Sequence, residues 1–188
     1  MRNENTSTPN GKLHLEPVGA GIQIPPNSAR LLLSWGIGPY FEGHIVEPES
    51  ISFRRWENGA TIGFTKLRPN FNETYGAPYY VIHRADFHSA LCKLAAQLGV
   101  TIITDSNVIS YDEAAPSVKT SGGREYSADL VVAADGVRST ARSVVLGGED
   151  KPAQRTGFAA YRAVVKTELM RDDPDTAWLL EQPALNVW

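Results

Sequence analysis

Apolar positions recur along the chain with two periods, which together predict alternating strands and helices. Between residues 87 and 98 they return at helical spacing, as Phe87, Leu91, Leu94 and Leu98. Apolar runs flank this segment on both sides, so residues 79–103 are expected to form a strand, a helix and a strand. Asp86 suits the start of the helix, and Gly99 is a natural C-cap.

A continuous apolar run at residues 130–134 predicts a strand of the same sheet that is buried on both faces. It leads into Asp135-Gly136, and Arg138, Ser139 and Arg142 follow. In open α/β sheets, ligands bind beyond the carboxyl ends of the strands, so this tip is a candidate ligand site. Glycine lets a ligand approach the backbone, arginine suits phosphate or carboxylate, and serine can cap a following helix. The alternative is a strand-end turn with a solvated acid and two surface arginines.

Shorter patterns predict the remaining elements. A helix is expected to begin at Asn27 or Ser28 and to end at Gly36 or Gly38. Alternation in residues 51–67 around Asn58-Gly59 predicts a hairpin with a two-residue type I′ turn. Short strands are expected around residues 121–123. Residues 157–165 and 176–181 are expected in a second, mainly antiparallel sheet.

Composition narrows the class of protein. The chain has 188 residues and a formal net charge of −3, with no block of Lys or Arg, which argues against nucleic-acid binding. A single Cys92 cannot form an internal disulfide, which favours a reducing compartment. The polar first ten residues and the absence of a long apolar run predict a cytoplasmic protein without a membrane span. His83 and His88 do not share a helical face, so no metal site is expected. The oligomeric state stays open.

Four stretches, in order, carry a resemblance to a known family: "VGAGIQIPPNSARLLLSWGI", "HRADFHSAL", "ADLVVAADGVRSTAR" and "TGFAAYRAVV". The sequence resembles the FAD-dependent aromatic hydroxylases, specifically the salicylate-hydroxylase-like monooxygenases with the fold of para-hydroxybenzoate hydroxylase. The resemblance implies an α/β protein, with an incomplete FAD-binding Rossmann-like domain and part of a substrate-domain β-sheet. It also implies an oxidoreductase that uses FAD, NADH or NADPH, and O2 to hydroxylate an aromatic or phenolic small molecule.

The resemblance also assigns cofactor-binding positions. The Gly19-Ala20-Gly21 loop is similar to the family segment that lies against FAD, and the alternative is a plain turn. Arg84 is similar to the arginine that reaches the FAD pyrophosphate or ribose. Its alternative is a surface charge at a helix start, although a cation there favours a nearby anion.

Two further positions match the family's nucleotide and substrate sites. Asp135-Gly136 is similar to the motif associated with FAD and the pyridine nucleotide. Arg162 matches an active-site arginine, with the catalytic role of placing or polarising an anionic or phenolic substrate. Its alternative is an outward, solvated strand residue.

The resemblance divides the chain and limits its expected activity. Residues 1–12 are expected to be a disordered leader and residues 13–150 a partial FAD-binding domain, with a hairpin insertion at about 44–76. Residues 151–188 would begin the substrate-binding sheet. The family's opening strand and Gly-x-Gly-x-x-Gly turn are absent from the sequence, and its later Gly-Asp motif and most of its substrate-binding sheet would lie beyond Trp188, so we expect a chain truncated at both ends. Such a chain should bind FAD weakly, have doubtful activity and expose apolar edges. The alternatives are a non-catalytic FAD-binding, nucleotide-binding or interaction module, and a flavin-dependent epoxidase or reductase of the same fold.

Overall fold

The computed structural model describes residues 20–148, 150–151, 154–159 and 164–188. The chain divides into two compact units, of which the first comprises Met1–Thr101 with Tyr161–Trp188 and the second Ile102–Ala160. The expected disordered leader, residues 1–12, lies outside the described residues. The predicted domain boundary near residue 150 stays a prediction.

Strands and helices alternate along the described chain. The strands are β1 (Gly21–Ile24), β2 (Ile45–Val46), β3 (Ser50–Arg54), β4 (Thr61–Lys66), β5 (Tyr80–His83), β6 (Val108–Asp112), β7 (Ser117–Thr120), β8 (Glu125–Ser127) and β9 (Ala184–Val187). The helices are α1 (Pro26–Ser34), α2 (Gly38–Phe41), α3 (Asn70–Tyr75), α4 (Arg84–Gln97), α5 (Ala141–Val145) and α6 (Thr167–Arg171). Short 3-10 helices occupy Gly136–Arg138 and Ala177–Leu180.

The first sheet of the first unit has the order β1-β5-β2, and both of its pairings are antiparallel. The buried side chains beneath it come from its strands, from α1, α2 and α4 and from the loops beside them: Ile24, Ala29, Leu32, Ile37, Phe41, Ala77, Tyr80, Ile82, Ala90 and Leu94. Helix α4 confirms the predicted strand–helix pair, and Phe87 and Leu91 pack against this core. Leu98, however, is 66% exposed, because the helix ends at Gln97 and Leu98 is already its C-cap.

Prolines set the start of α1. Pro25 has extended backbone angles, φ −66° and ψ 166°, and Pro26 occupies the first helical turn, where its missing N–H has no intrahelical partner to lose. The helix therefore begins before Asn27 and Ser28, which are not its caps as predicted. Gly36 follows the helix with φ +91°, in the left-handed region, as its predicted role as terminator requires.

The second sheet of the first unit has the order β4-β3-β9. The hairpin predicted around Asn58-Gly59 is confirmed, but Arg54 pairs with Thr61, so a six-residue loop replaces the predicted two-residue turn. Within that loop the Asn58 side chain accepts the N–H of Ala60 at 3.0 Å.

The third strand of this sheet, β9, is parallel to β3, with Ser50 opposite Ala184. The strand predicted at residues 176–181 is wrong, since Ala177–Leu180 is a 3-10 helix. The strand predicted at residues 157–165 is also wrong where the structure describes it, because residues 157–159 and 164–165 form none.

The second unit contains the antiparallel sheet β6-β7-β8, and its turn at residues 121–123 is as predicted. The strands predicted at residues 100–103 and 130–134 are both wrong. Neither segment forms a strand in the described chain, and Leu130 and Val132 are each 75% exposed. A strand needs a neighbour for its N–H and C=O groups, and these segments pair with none among the described residues. The expected exposure of apolar segments is confirmed.

Candidate functional site

The junction of β1, β5 and α4 brings three of the predicted cofactor-binding residues together. The N–H of Arg84 donates to the carbonyl oxygen of Ala20 at 3.2 Å, and Gly21 pairs with His83 across the sheet. Strand β5 continues into α4 without a loop, and Nδ1 of His83 accepts the N–H of Ala85 at 3.3 Å as the helix cap. The sheet register therefore fixes Ala20 and Gly21 beside the first residue of α4.

Arg84 is an exposed cation at the positive end of a 14-residue helix. This is an unfavourable position for a cation unless an anion is close to it. Within the part of the chain that the structure describes, no carboxylate oxygen lies within 4 Å of its guanidinium. Asp86, in the first turn of the same helix, lies 3.7 Å from Nδ1 of His44 instead. The junction therefore combines a guanidinium with the positive end of a helix dipole, and both favour an anion such as a phosphate or diphosphate group.

Gly21 lies at this junction without being required there by packing. A Cβ atom built on Gly21 would lie 3.7 Å from Cγ1 of Val81, which is an ordinary contact distance. Packing among the described residues thus does not require glycine at this position. Gly19, the first residue of the predicted loop, lies outside the described residues.

The second predicted site, Asp135-Gly136, lies in the second unit. Oδ2 of Asp135 accepts the N–H of Thr140 at 2.8 Å, the N–H of Ala141 at 3.3 Å and the hydroxyl of Tyr111 at 3.3 Å. The hydroxyl of Ser139 and the N–H groups of Ala141 and Thr140 lower the pKa of Asp135, so the side chain is a carboxylate at neutral pH. In this structure Asp135 fastens the start of α5 to β6.

The polar residues that follow Asp135 differ in whether their side chains have hydrogen-bond partners within the chain. Arg142 donates from Nε and Nη2 to the two carboxylate oxygens of Asp150, at 2.8 and 2.5 Å. These hydrogen bonds raise the pKa of Arg142 and lower that of Asp150. Arg142 is therefore not the available anion-binding group that its sequence context predicts. Ser139 accepts the N–H of Arg142 at 3.1 Å, but the N-cap of α5 is Thr140, and Arg138 is exposed.

A groove of about 530 Å³, which the sequence did not predict, lies in the second unit. Apolar and polar side chains line it: Ser106, Asn107, Val108, Tyr111, Val118, Val131, Val132, Ala133, Ala134, Asp135, Arg138 and Thr140. Sequence reasoning missed it because residues 130–134 read as a strand covered on both faces. Since this segment pairs with no strand, one of its sides borders the groove instead.

Three predictions concern features outside these sites: the role of Arg162, metal binding and membrane spans. Arg162, the predicted active-site arginine, lies outside the described residues, and its role stays a prediction. Among the described residues, no three His, Cys, Asp or Glu side chains are grouped as metal ligands. No described helix combines the length and the apolar character that crossing a membrane would need.

Comparison with known proteins relates the chain to one class of enzyme. The FAD-dependent monooxygenase OpS4 of Beauveria bassiana (strain ARSEF 2860) is 34% identical over 176 residues, which cover 91% of this chain and 40% of OpS4. The 3-amino-4-hydroxybenzoate 2-monooxygenase of Streptomyces cremeus is 37% identical over 163 residues, covering 85% of this chain and 41% of that enzyme. No protein-family model matches the sequence.

The fold agrees with the sequence comparison. The crystal structure of FqzB superposes with a TM-score of 0.68 at 28% identity, over 88% of this chain and 37% of FqzB. The predicted α/β class and fold type are therefore confirmed. The chain spans about 40% of the length of the curated relatives it matches.

Proposed function

We propose that this chain, a homologue of FAD-dependent monooxygenases over most of its own length, forms part of the FAD site of such an enzyme. The reaction would be the hydroxylation of an aromatic or similar small organic substrate with NADH or NADPH and O2. The observation that carries this proposal is the junction at which Ala20 and Gly21 lie against Arg84.

Arg84 is the residue that we propose for binding the FAD diphosphate. Its guanidinium has no carboxylate within 4 Å among the described residues, and it stands at a helix N-terminus that also favours an anion. Two parallel hydrogen bonds from a guanidinium to phosphate oxygens would orient the cofactor. Gly19, Ala20 and Gly21 would allow FAD close to the backbone of the sheet edge.

The other predicted residues have separate proposed roles. Asp135 and Gly136 would contribute to the binding of FAD and the pyridine nucleotide through the turn that Asp135 holds in place. Arg162 would orient an anionic or phenolic substrate. Bound FAD supplies the oxygen-activating chemistry of this enzyme class, while the protein binds the reactants and excludes water.

Equilibrium dialysis with FAD tests the proposal on the 188-residue chain. The unaltered chain should bind FAD weakly, since it lacks the Gly-x-Gly-x-x-Gly turn. Arg84→Ala should weaken binding by about 1.5–3 kcal/mol, the usual size of a hydrogen bond to a charged group. Arg84→Lys should restore part of the loss, because it keeps the charge without the planar fork.

Two control variants separate this role from general charge and from substrate binding. Arg30 is an exposed arginine on α1 of the same unit, and Arg30→Ala should leave FAD affinity unchanged. Arg162→Ala should also leave it unchanged, since Arg162 is assigned to the substrate. Equal losses in Arg84→Ala and Arg30→Ala, or no binding by the unaltered chain, would contradict the proposal.

A further inference from the structure

Helix α4 carries the single cysteine of the chain one turn away from a histidine. His88 and Cys92 are four residues apart in this 14-residue helix, a spacing that places two side chains on the same face. The sulfur atom of Cys92 lies 3.8 Å from Nδ1 and 3.9 Å from Nε2 of His88. The helical geometry that separates His83 from His88 thus joins His88 to Cys92.

Both side chains of this pair can be reached from solvent. His88 is exposed and Cys92 is half-buried, whereas Ala90 and Leu94 of the same helix belong to the core. In the part of the chain that the structure describes, no third His, Cys, Asp or Glu side chain joins the pair. A ligand that binds both groups therefore keeps part of its surface in contact with water.

The surroundings of the pair favour metal binding over covalent catalysis. A catalytic cysteine and its histidine base need a third group that orients the imidazole ring. Among the described residues, no carboxylate oxygen lies within 4 Å of either ring nitrogen of His88. A thiolate and a neutral imidazole are, in contrast, the ligands that Zn²⁺ takes in most of its structural sites.

The distances between the two side chains suit a shared zinc ion. A Zn–S bond of about 2.3 Å and a Zn–N bond of about 2.0–2.1 Å, at a tetrahedral angle, place the sulfur and nitrogen about 3.6 Å apart. The observed separations of 3.8 and 3.9 Å exceed this value only slightly. Because the two distances are nearly equal, neither ring nitrogen points directly at the sulfur. Rotation about χ2, which is broad in histidine, aims one nitrogen at the metal.

We propose that His88 and Cys92 form a two-residue Zn²⁺ site on the exposed face of α4. Cys92 binds as the thiolate after releasing its proton to solvent, His88 binds through one ring nitrogen, and water completes the tetrahedral coordination. Arg84, one turn earlier on the helix, is a cation that opposes a second cation, so binding is weak and reversible. The site does not depend on the proposed function.

A titration of the 188-residue chain with Co²⁺, a spectroscopic substitute for Zn²⁺, tests the sulfur ligand directly. A cobalt–thiolate bond gives a charge-transfer absorption in the near ultraviolet, and Cys92 is the only thiol in the chain. This absorption should saturate at one ion per chain. Excess Zn²⁺ should remove it, whereas Mg²⁺, which prefers oxygen ligands, should not. Absence of the absorption, or its removal by Mg²⁺ as readily as by Zn²⁺, would overturn the proposal.

Variants at two exposed histidines give a matched comparison. His88→Ala should lower Co²⁺ affinity by about tenfold or more, and Cys92→Ser should abolish the charge-transfer absorption. His44→Ala removes an exposed histidine that lies 3.7 Å from Asp86, and it should leave both the affinity and the absorption unchanged. If the half-buried Cys92→Ser does not fold, the comparison of the two exposed histidines still decides. The proposal fails if both histidine variants lose affinity equally, or if neither does.

Discussion

Single side chains with several acceptor contacts fix the local structure of the second unit. Asp135 illustrates this, since one carboxylate oxygen receives two backbone N–H groups and a tyrosine hydroxyl. Its sequence context, an acid and a glycine after an apolar run, singles it out as a candidate ligand-site residue. What the context does not reveal is that the carboxylate is already engaged within the chain.

The lowered pKa of Asp135 predicts an acid-sensitive contact. The ordinary pKa of an aspartate is about 3.9, and a lower value in the folded chain stabilises it at any pH above the unfolded value. This stabilisation is lost as the pH falls through the folded pKa. Hydrogen-exchange protection of the Thr140 amide, corrected for intrinsic rates, should therefore stay constant from about pH 6 to about pH 4 and decrease as the pH falls below the unfolded value.

Neutral variants of two aspartates test this interpretation. In Asp135→Asn, the protection of the Thr140 amide should be lower at pH 6 and should change little with acid. Asp129→Asn, at an exposed position earlier in the chain, should keep the profile of the unaltered protein. An acid-dependent loss of protection that persists in Asp135→Asn would assign the effect to another group.

Elements with local determinants are the ones that the sequence predicts well. Helix α4 has its periodicity and its C-terminal glycine within a few residues, and the turn at 121–123 has its own glycines. The segment at 130–134 and strand β9 depend on partners far away in sequence. The apolar residues at 130–134 indicate only that the segment favours burial, and the described chain provides no strand to cover it.

The same distinction separates two contacts of the first unit that join residues far apart in sequence. Ala20, Gly21 and Arg84 meet because two stretches that carry the family resemblance pair in one sheet. Arg54 and Asn186 are 132 residues apart and join through a parallel pairing. No local pattern marks that pairing, and the sequence therefore does not predict this contact.

Two glycines beside α1 give a matched test of backbone conformation. Gly36 has φ +91°, and a Cβ atom added there would meet no atom within 4 Å beyond its chain neighbours, so Gly36→Ala is penalised by the left-handed backbone alone. We expect a loss of about 1–2 kcal/mol in the free energy of unfolding of the first unit. Gly38 lies within α2, where Gly38→Ala should be neutral or stabilise by up to about 1 kcal/mol.

Urea unfolding followed by tryptophan fluorescence measures both variants. The changes in the free energy of unfolding that the two substitutions cause should have opposite signs or differ by more than about 1 kcal/mol. Equal stability of the two variants would show that the left-handed conformation of Gly36 is not maintained in solution.

The molecule as a whole presents much apolar surface. Leu130, Val132, Val137, Val145 and Phe158 are all at least 75% exposed, and all belong to the second unit. Exposed apolar segments of this kind promote association between molecules. We therefore expect the second unit to govern the solubility of the chain.

A pair of lysine substitutions tests this expectation. Val132→Lys should lower binding of the dye ANS and light scattering, because it removes exposed apolar surface, although it reduces the net charge from −3 to −2. Ser127→Lys adds the same charge at an exposed polar position of β8 and should change either signal less. Equal effects of the two substitutions on both signals would indicate that the introduced charge, and not the loss of apolar surface, controls solubility.

The parallel pairing of β3 with β9 also determines an order of events during protein synthesis. Residues 102–160, the whole of the second unit, leave the ribosome before β9 does. The edge of β3 that pairs with β9 therefore stays unpaired during this time. An entire intervening unit is translated, and can fold, before β9 is available. Because long-range pairings form slowly, completion of this sheet should be a late step of folding, and the hairpin edge is the surface that chaperones would have to protect until then.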